Sequence, residues 1–295
     1  MIIKKILVPF IGRYEPELAE QLDESALKMA LLVASQYNAH VQALFVKENS
    51  QKPEERISAW LPGSSVNELI NWIKKEGKER RKHAMSTFSK TVEIFDPKPQ
   101  ITDELTPSFS ASYTEQIGDI GATVGQLGRA SDLVVITNSK ARWNMQFKPL
   151  LEASLHLTGR PVLVCQVDIP STFAKRIAIA WNDSNEAARA IGNALHILKN
   201  AEYVALISCQ ENDNKEIDSK NILDYLKLHN IDAEFISLFE TSRRSAEKII
   251  HTAESKQCDL LVMGTYFHAR PHSLVFGSLT EYVLSEPNLT VLLSP

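Results

Sequence analysis

Short continuous apolar runs alternate along this chain with stretches in which apolar residues recur every three or four positions. Lys5-Ile6-Leu7-Val8-Pro9-Phe10, Arg176-Ile177-Ala178-Ile179-Ala180-Trp181, Tyr203 to Cys209, Phe235 to Leu238 and Leu260-Leu261-Val262 are runs of the first kind. Such runs mark strands buried on both faces, as in parallel sheets covered by crossover helices. Between them, Ala187, Ile191, Ala194, Leu195 and Leu198 fall on one helical face, with Asp183 or Ser184 placed to cap it. Ala246, Ile249, Ile250 and Ala253 mark another helix ahead of the Leu260 run. The alternation predicts βαβ units and an open doubly wound α/β sheet.

The pattern occurs twice. The strand opening at Lys5 pairs with the one opening at Arg176, and Glu24-Ser25-Ala26-Leu27-Lys28-Met29-Ala30 pairs with Glu186-Ala187-Ala188-Arg189-Ala190-Ile191-Gly192. Asp132-Leu133-Val134-Val135-Ile136-Thr137 matches Asp259-Leu260-Leu261-Val262-Met263-Gly264, and Arg160-Pro161-Val162-Leu163-Val164 matches Leu289-Thr290-Val291-Leu292-Leu293. Four correspondences in one order indicate a diverged duplication. The polar stretch Asp168-Ile169-Pro170-Ser171-Thr172 separates the copies, which gives an N-terminal domain over 1–168 and a C-terminal domain over 175–295. Two domains also suit the length of 295 residues.

Two features of the first copy are its own. An insertion from about Asn49 to Pro107 carries Val66, Leu69, Ile70, Ile73, Ala84 and Phe88 at amphipathic-helix spacing. A predicted helix from Ile117 to Ala130 holds Gly118, Gly121, Gly125 and Gly128. Each mid-helix glycine costs about 1 kcal/mol relative to alanine. Close approach to the sheet or a neighbouring helix, or a dimer seam, would account for the stripe.

Composition narrows the partners. The chain is 44% hydrophobic and 23% charged with a net charge of −4, so nucleic acid and anionic membrane are not expected partners. The basic run from Lys74 to Lys82 includes Glu76 and Glu79, and reads as a solvated helix face. Cys165, Cys209 and Cys258 are scattered and form no Cys-x-x-Cys pair, which suggests free thiols in a reducing cytoplasm. The N-terminus lacks a signal-peptide pattern, and no apolar run is long enough to span a bilayer.

The densest chemistry lies at the end of the Leu260 run. Met263-Gly264-Thr265-Tyr266-Phe267-His268 is followed, nine residues beyond Phe267, by Gly277-Ser278 opening a helix. Backbone amides at a strand end and a helix N-terminus can cradle phosphate. The spacing resembles the phosphate loop of the universal stress protein family, in which glycine, two residues, glycine, nine residues and then glycine with serine or threonine follow in order. Phe267 stands where the family has its middle glycine. The opening turn Ala180-Trp181-Asn182-Asp183-Ser184 also resembles that family, with Asn182 in place of an aspartate that helps hold adenosine.

The resemblance implies two five-stranded, Rossmann-like domains of the adenine nucleotide alpha hydrolase-like kind, joined as an intramolecular pseudo-dimer, with a homodimer also open. It implies a nucleotide site formed by Ala180, Trp181, Asn182, Cys209, Met263, Gly264, Phe267, His268, Gly277 and Ser278, with backbone near Cys209 meeting adenine. ATP or AMP would be the ligand, with no metal beyond magnesium, and the role stress-responsive or regulatory. A nucleotide-free scaffold acting through protein contacts is the alternative, and slow ATP hydrolysis is a third.

The first copy lacks the features of the site. Ile11 falls at the aspartate position, Thr137-Asn138-Ser139-Lys140 replaces the glycine turn, and Lys148-Pro149 replaces Gly277-Ser278. Proline offers no amide to a phosphate, so this copy reads as structural. His268 and His272 are four apart in a presumed loop, without the further ligands a metal site needs. Gly-x-Ser-x-Gly, Gly-x4-Gly-Lys-Ser/Thr, Gly-x-Gly-x-x-Gly and His-x-Gly-His patterns are absent, so no catalytic residue is assigned.

Overall fold

The computed structural model describes residues 2–10, 16–47, 63–99, 108–138, 147–210, 219–240, 242–265, 267–270, 273–276, 278–285 and 289–295. For residues 16–19, 63–67, 69–70, 73–74, 98–99, 242–243, 267–270, 273–276, 278 and 285 only the backbone is described.

The first half runs β1 (Lys5–Phe10), α1 (Pro16–Tyr37), β2 (His40–Lys47), α2 (Gly63–Phe95), β3 (Lys98–Pro99), β4 (Ser110–Ile117), α3 (Ile120–Gly128), β5 (Leu133–Thr137), α4 (Lys148–His156) and β6 (Val162–Cys165). The second half runs β7 (Arg176–Trp181), α5 (Asn185–Leu198), β8 (Tyr203–Gln210), α6 (Lys220–Leu228), β9 (Ala233–Phe239), α7 (Ser242–Ser255) and β10 (Leu260–Gly264). It closes with β11 (Phe267–Arg270), β12 (Ser273–Phe276), α8 (Ser278–Ser285) and β13 (Thr290–Ser294).

All the long strands join one 11-stranded sheet in the order β3-β4-β2-β1-β5-β6-β13-β10-β7-β8-β9. Both halves follow the same path. The first strand lies at the centre, the second and third go to one side, and the fourth and fifth go to the other. Within this sheet every pairing inside a half is parallel, while β6 meets β13 antiparallel, with Val164 opposite Val291, Leu163 opposite Leu292 and Val162 opposite Leu293. The closing strands therefore sit at a pseudo-twofold junction, as the internal repeat predicts. One core cluster fills each face of the sheet, and each runs through both halves.

An aspartate secures the same corner of each half. Asp132 Oδ2 accepts from the amides of Lys4 at 2.8 Å and Lys5 at 2.9 Å. Asp259 accepts from the amides of Lys175 and Arg176, both at 2.9 Å. Each aspartate's own N–H donates back to the first strand, to Lys5 O and Arg176 O respectively, at 2.8 Å. The carboxylate thus satisfies amides at a strand start that have no ladder partner.

Several expectations need correction. The first half has a sixth strand, because β3 adds a two-residue edge beside β4 at the end of the insertion. The insertion is helical as expected: α2 spans 33 residues. Ala84 is buried in the core and Phe88 packs against it, whereas the side chains of Val66, Leu69, Ile70 and Ile73 lie outside the described ones. The glycine-rich helix begins only at Ile120, where Asp119 caps it by accepting from Ala122 N. Ile117 instead ends β4, which places Gly118 ahead of the helix. The glycine stripe is explained by α4. A Cβ on Gly125 would lie 2.6 Å from Leu157 Cβ, and one on Gly128 would collide with Thr158. Close helix approach therefore requires these glycines without any dimer. Helix α6 is not marked by a clear period in the sequence: Ile222, Leu223, Tyr225, Leu226 and Leu228 crowd its nine residues, and of them only Leu226 is buried.

Candidate functional site

A cavity of about 230 Å³ opens at the carboxyl ends of β7, β8 and β10, walled by α5, α7 and α8. In the strand order, β7 lies between β8 and β10, so the chain leaves it in opposite directions. Open α/β sheets bind ligands at such a switch point. Small side chains make the space: Ala180, Cys209 and Gly264 end the strands, while Ala187 and Ser245 face them from the helices.

The turn from β7 into α5 is fixed by its own polar groups. Ser184 is the N-cap, its hydroxyl accepting from Ala187 N at 3.2 Å. Asn182 Oδ1 accepts from Ser184 N at 3.3 Å and from Ser184 Oγ at 2.6 Å. Asn182 therefore supports the cap and is not itself the cap. Between them Asp183 takes a left-handed φ of 58°, a conformation that aspartate tolerates better than most residues. Asn182 Nδ2 has no partner among the described residues, which leaves two N–H groups at the cavity rim.

Gly264 is a glycine for a packing reason. A Cβ there would lie 2.6 Å from Glu186 O and 2.6 Å from Glu186 Cβ, so the end of β10 can meet the first turn of α5 only without a side chain. Next to it, Thr265 is fastened to the last strand: its N–H and its hydroxyl both donate to Ser294 O, each at 2.8 Å.

The wall is nearly uncharged. Among the described residues Glu186 is the one carboxylate lining the cavity and no lysine or arginine lines it, while Arg189 Nη2 pairs with the Glu186 carboxylate at 3.1 Å. Burial pushes the Cys209 thiol above its ordinary range, opposed by nearby Lys248 and helped by Glu240. Trp181 is buried to 7% exposure, and its Nε1 has no hydrogen-bond partner. Ser208, opposite Trp181 in the β7–β8 register, has an equally unpartnered Oγ.

Of the residues singled out from sequence, Ala180, Trp181, Asn182, Cys209, Met263 and Gly264 line this cavity together. Ser278 opens α8 as expected, and its neighbour Leu279 lines the wall. Gly277 and His272 lie outside the described residues. The segment after Gly264 departs from the expected tight turn and loop. Phe267 and His268 begin strand β11, which pairs antiparallel with β12, Phe267 opposite Phe276 and His268 opposite Val275. Alternating residues with β-branched and aromatic members, Phe267 to Phe276, favour such a hairpin. The side chains of Phe267 and His268 lie outside the described ones. Residues missed from sequence are Ser184, Glu186, Ala187, Ser245, Ile249 and Leu279. The helical periodicity that placed Ala187 and Ile249 in the core carried no hint that their strand-end neighbours are small enough to leave a void. Among the described residues no group of three or more His, Cys, Asp or Glu could hold a metal ion.

The matching ends in the first half are filled differently. Phe10 and Phe45 face each other where Trp181 faces Ser208, and both are buried. Phe10 also packs edge-on against Tyr113 with ring centroids 6.4 Å apart. Thr137 stands where Gly264 does, its hydroxyl 3.1 Å from Cys165 Sγ.

Residues 174–295 match the model of the Universal stress protein family. The chain is similar to a universal stress protein from Archaeoglobus fulgidus DSM 4304, at 15% identity and a TM-score of 0.68, covering 98% of this chain and 97% of that one. It is similar to a functionally unknown protein from Pseudomonas aeruginosa PAO1, at 16% identity and a TM-score of 0.56, covering 99% and 92%. It is also similar to a putative universal stress protein from Pseudomonas aeruginosa UCBPP-PA14, at 17% identity and a TM-score of 0.53, covering 99% and 93%. No curated protein aligns with it significantly. The family match covers residues 174–295, and the N-terminal half repeats the same fold.

Proposed function

We propose that the C-terminal half binds an adenine nucleotide, ATP or AMP, by its adenosine end, and that the chain serves a stress-response or regulatory role. The observation that carries this is the cavity at the β7 switch point, in the half that matches the family. Asn182 Nδ2 offers a donor to a ribose hydroxyl or ring nitrogen, and Met263 and Ile249 offer apolar surface to a base. At about 230 Å³ the space is smaller than the roughly 300–1,000 Å³ of pockets that take drug-sized ligands. It suits a nucleoside with its phosphates outside.

Phosphates would then rely on backbone amides beyond the cavity, since no lysine or arginine lines it among the described residues. The first turn of α8, opened by Ser278, is where a helix leaves amides without partners inside it. Phe267 stands where the family pattern has glycine, and a side chain there restricts how closely main chain approaches phosphate oxygens. Triphosphate should add little to adenosine affinity. The small size of the cavity also favours one rival, a nucleotide-free scaffold acting through protein contacts.

Calorimetry of adenosine, AMP and ATP against the full chain tests the proposal. Adenosine and AMP should bind with similar affinity, ATP should gain little, and Phe267→Gly should tighten ATP several-fold. Absence of heat with all three ligands at millimolar concentration would favour the scaffold.

A further inference from the structure

Helix α8 forms part of the cavity wall at one end and touches the other half of the molecule at the other. Its first turn contributes Leu279 to the wall. In its last turn, Leu284 is 1% exposed. The last four carbonyls of a helix have no partner within it, and a buried end needs donors from elsewhere. For Leu284 O the donor is Asn138 Nδ2 at 2.5 Å, reaching across from the first half. Asn138 is itself 1% exposed and anchored by its own N–H, which donates to Cys165 O at 3.0 Å. Among the described residues its side-chain Oδ1 is buried without a partner, and the Leu284 bond is the one its side chain makes.

The equivalent positions behave differently. The C-terminal end of α4 is held from within its own half, where Arg129 Nε donates to Leu157 O at 3.0 Å. Thr265, which follows β10 as Asn138 follows β5, turns its hydroxyl back to Ser294 O in its own half. The tie across the junction therefore runs one way, from the half without a glycine turn to the helix that walls the other half's cavity.

We infer that Asn138 is a positioning residue for the C-terminal cavity, fixing the last turn of α8 so that its first turn holds Leu279 in the wall. This rests on the nucleoside reading of the cavity, and it gives the first half a part in binding that needs no ligand of its own.

The test compares the full-length wild type with Asn138→Ala and with Asn138→Asp, which keeps the shape and loses the donor. Amide hydrogen exchange is followed in α8, α4 and β10, and adenosine affinity is measured by calorimetry. Both variants should speed exchange in α8 by about tenfold, the equivalent of one lost hydrogen bond. Exchange in α4 and β10 should hold, and adenosine should bind roughly three- to tenfold more weakly. Should Asn138→Ala not fold, Asn138→Ser, with a shorter donor, carries the same comparison. Unchanged exchange in α8, or equal loss of protection in α4, overturns the assignment. So does normal adenosine affinity in variants whose α8 has loosened. If the wild type binds no adenosine, the cavity reading fails on that result alone, while the α8 exchange still decides whether Asn138 holds the helix.

Discussion

Leu163 and Leu292 lie opposite each other at the middle of the β6–β13 pairing, the one antiparallel junction within the 11-stranded sheet among the described residues. Both are fully or nearly fully buried, at 0% and 1% exposure, and both belong to the core cluster that crosses the junction. The two halves thus share one core at the point where two separate subunits would otherwise meet. Truncating Leu292 to alanine should cost about 2–5 kcal/mol, read as a lower denaturant midpoint. The loss should register in probes of both halves together. Unfolding of the second half alone, with the first unaffected, would show that the junction is not cooperative.

Gly264 is the next test, because the end of β10 packs directly against the first turn of α5 there. Gly264→Ala brings a methyl group into the backbone of Glu186. Overpacking of this kind costs about 1–3 kcal/mol, and the methyl also narrows the cavity. A thermal scan should show the loss without any ligand present. An unchanged midpoint would mean that β10 and α5 can separate at no cost.

The three cysteines provide a chemical map. Burial pushes the Cys165 thiol up to about 12 and the Cys258 thiol up to about 11. Cys209 is raised for the same reason but is only partly buried, and it lines the cavity. Alkylation at pH 8 followed by mass spectrometry should therefore label Cys209 first, and saturating adenosine should slow that labelling alone. Labelling of Cys165 at a comparable rate would contradict the buried environment.

His40 gives a pH dependence with a definite sign. Its ring nitrogens lie 2.9 Å from Ser110 Oγ and 2.9 Å from Ser112 Oγ. Burial lowers its pKa, and nearby Lys5 lowers it further. Folding therefore favours neutral His40. Its contribution is present above the unfolded value near 6.5 and is lost as pH falls through the lower folded value. Thermal midpoints of wild type and His40→Asn between pH 8 and 5 isolate the effect from other histidines. The wild type should lose more stability than the variant on acidification, and parallel curves would contradict it.

Much of the fold is legible in the sequence, and the reasons are local. The runs at Lys5, Arg176, Asp132 and Asp259 are buried on both faces, so each reads as a parallel strand, and their repetition reveals the paired halves. Asp132 and Asp259 match because each closes the same corner with the same hydrogen bonds. The site is half legible. Asn182 and Met263-Gly264 stand out because strand ends and glycine turns are marked by residue type. Ser245, Ile249 and Leu279 do not, since a helix reaches a cavity by tertiary packing that periodicity does not encode. The β11–β12 hairpin is not legible because Gly264 suggests a turn and loop, whereas residues 267–270 and 273–276 form paired strands. Asn138 reads only as a broken glycine motif until its amide is seen on Leu284 O.

The central claim is that the switch-point cavity of the C-terminal half takes the adenosine end of a nucleotide. Ala180 is the small residue whose enlargement fills it. The most direct measurement is calorimetric titration of adenosine into the full-length wild type and into Ala180→Leu, with a thermal scan confirming that the variant is folded. One adenosine should bind per wild-type chain, and binding should fall at least tenfold, about 1.4 kcal/mol, in the variant. Equal binding by a folded Ala180→Leu, or no binding by the wild type, would contradict the claim.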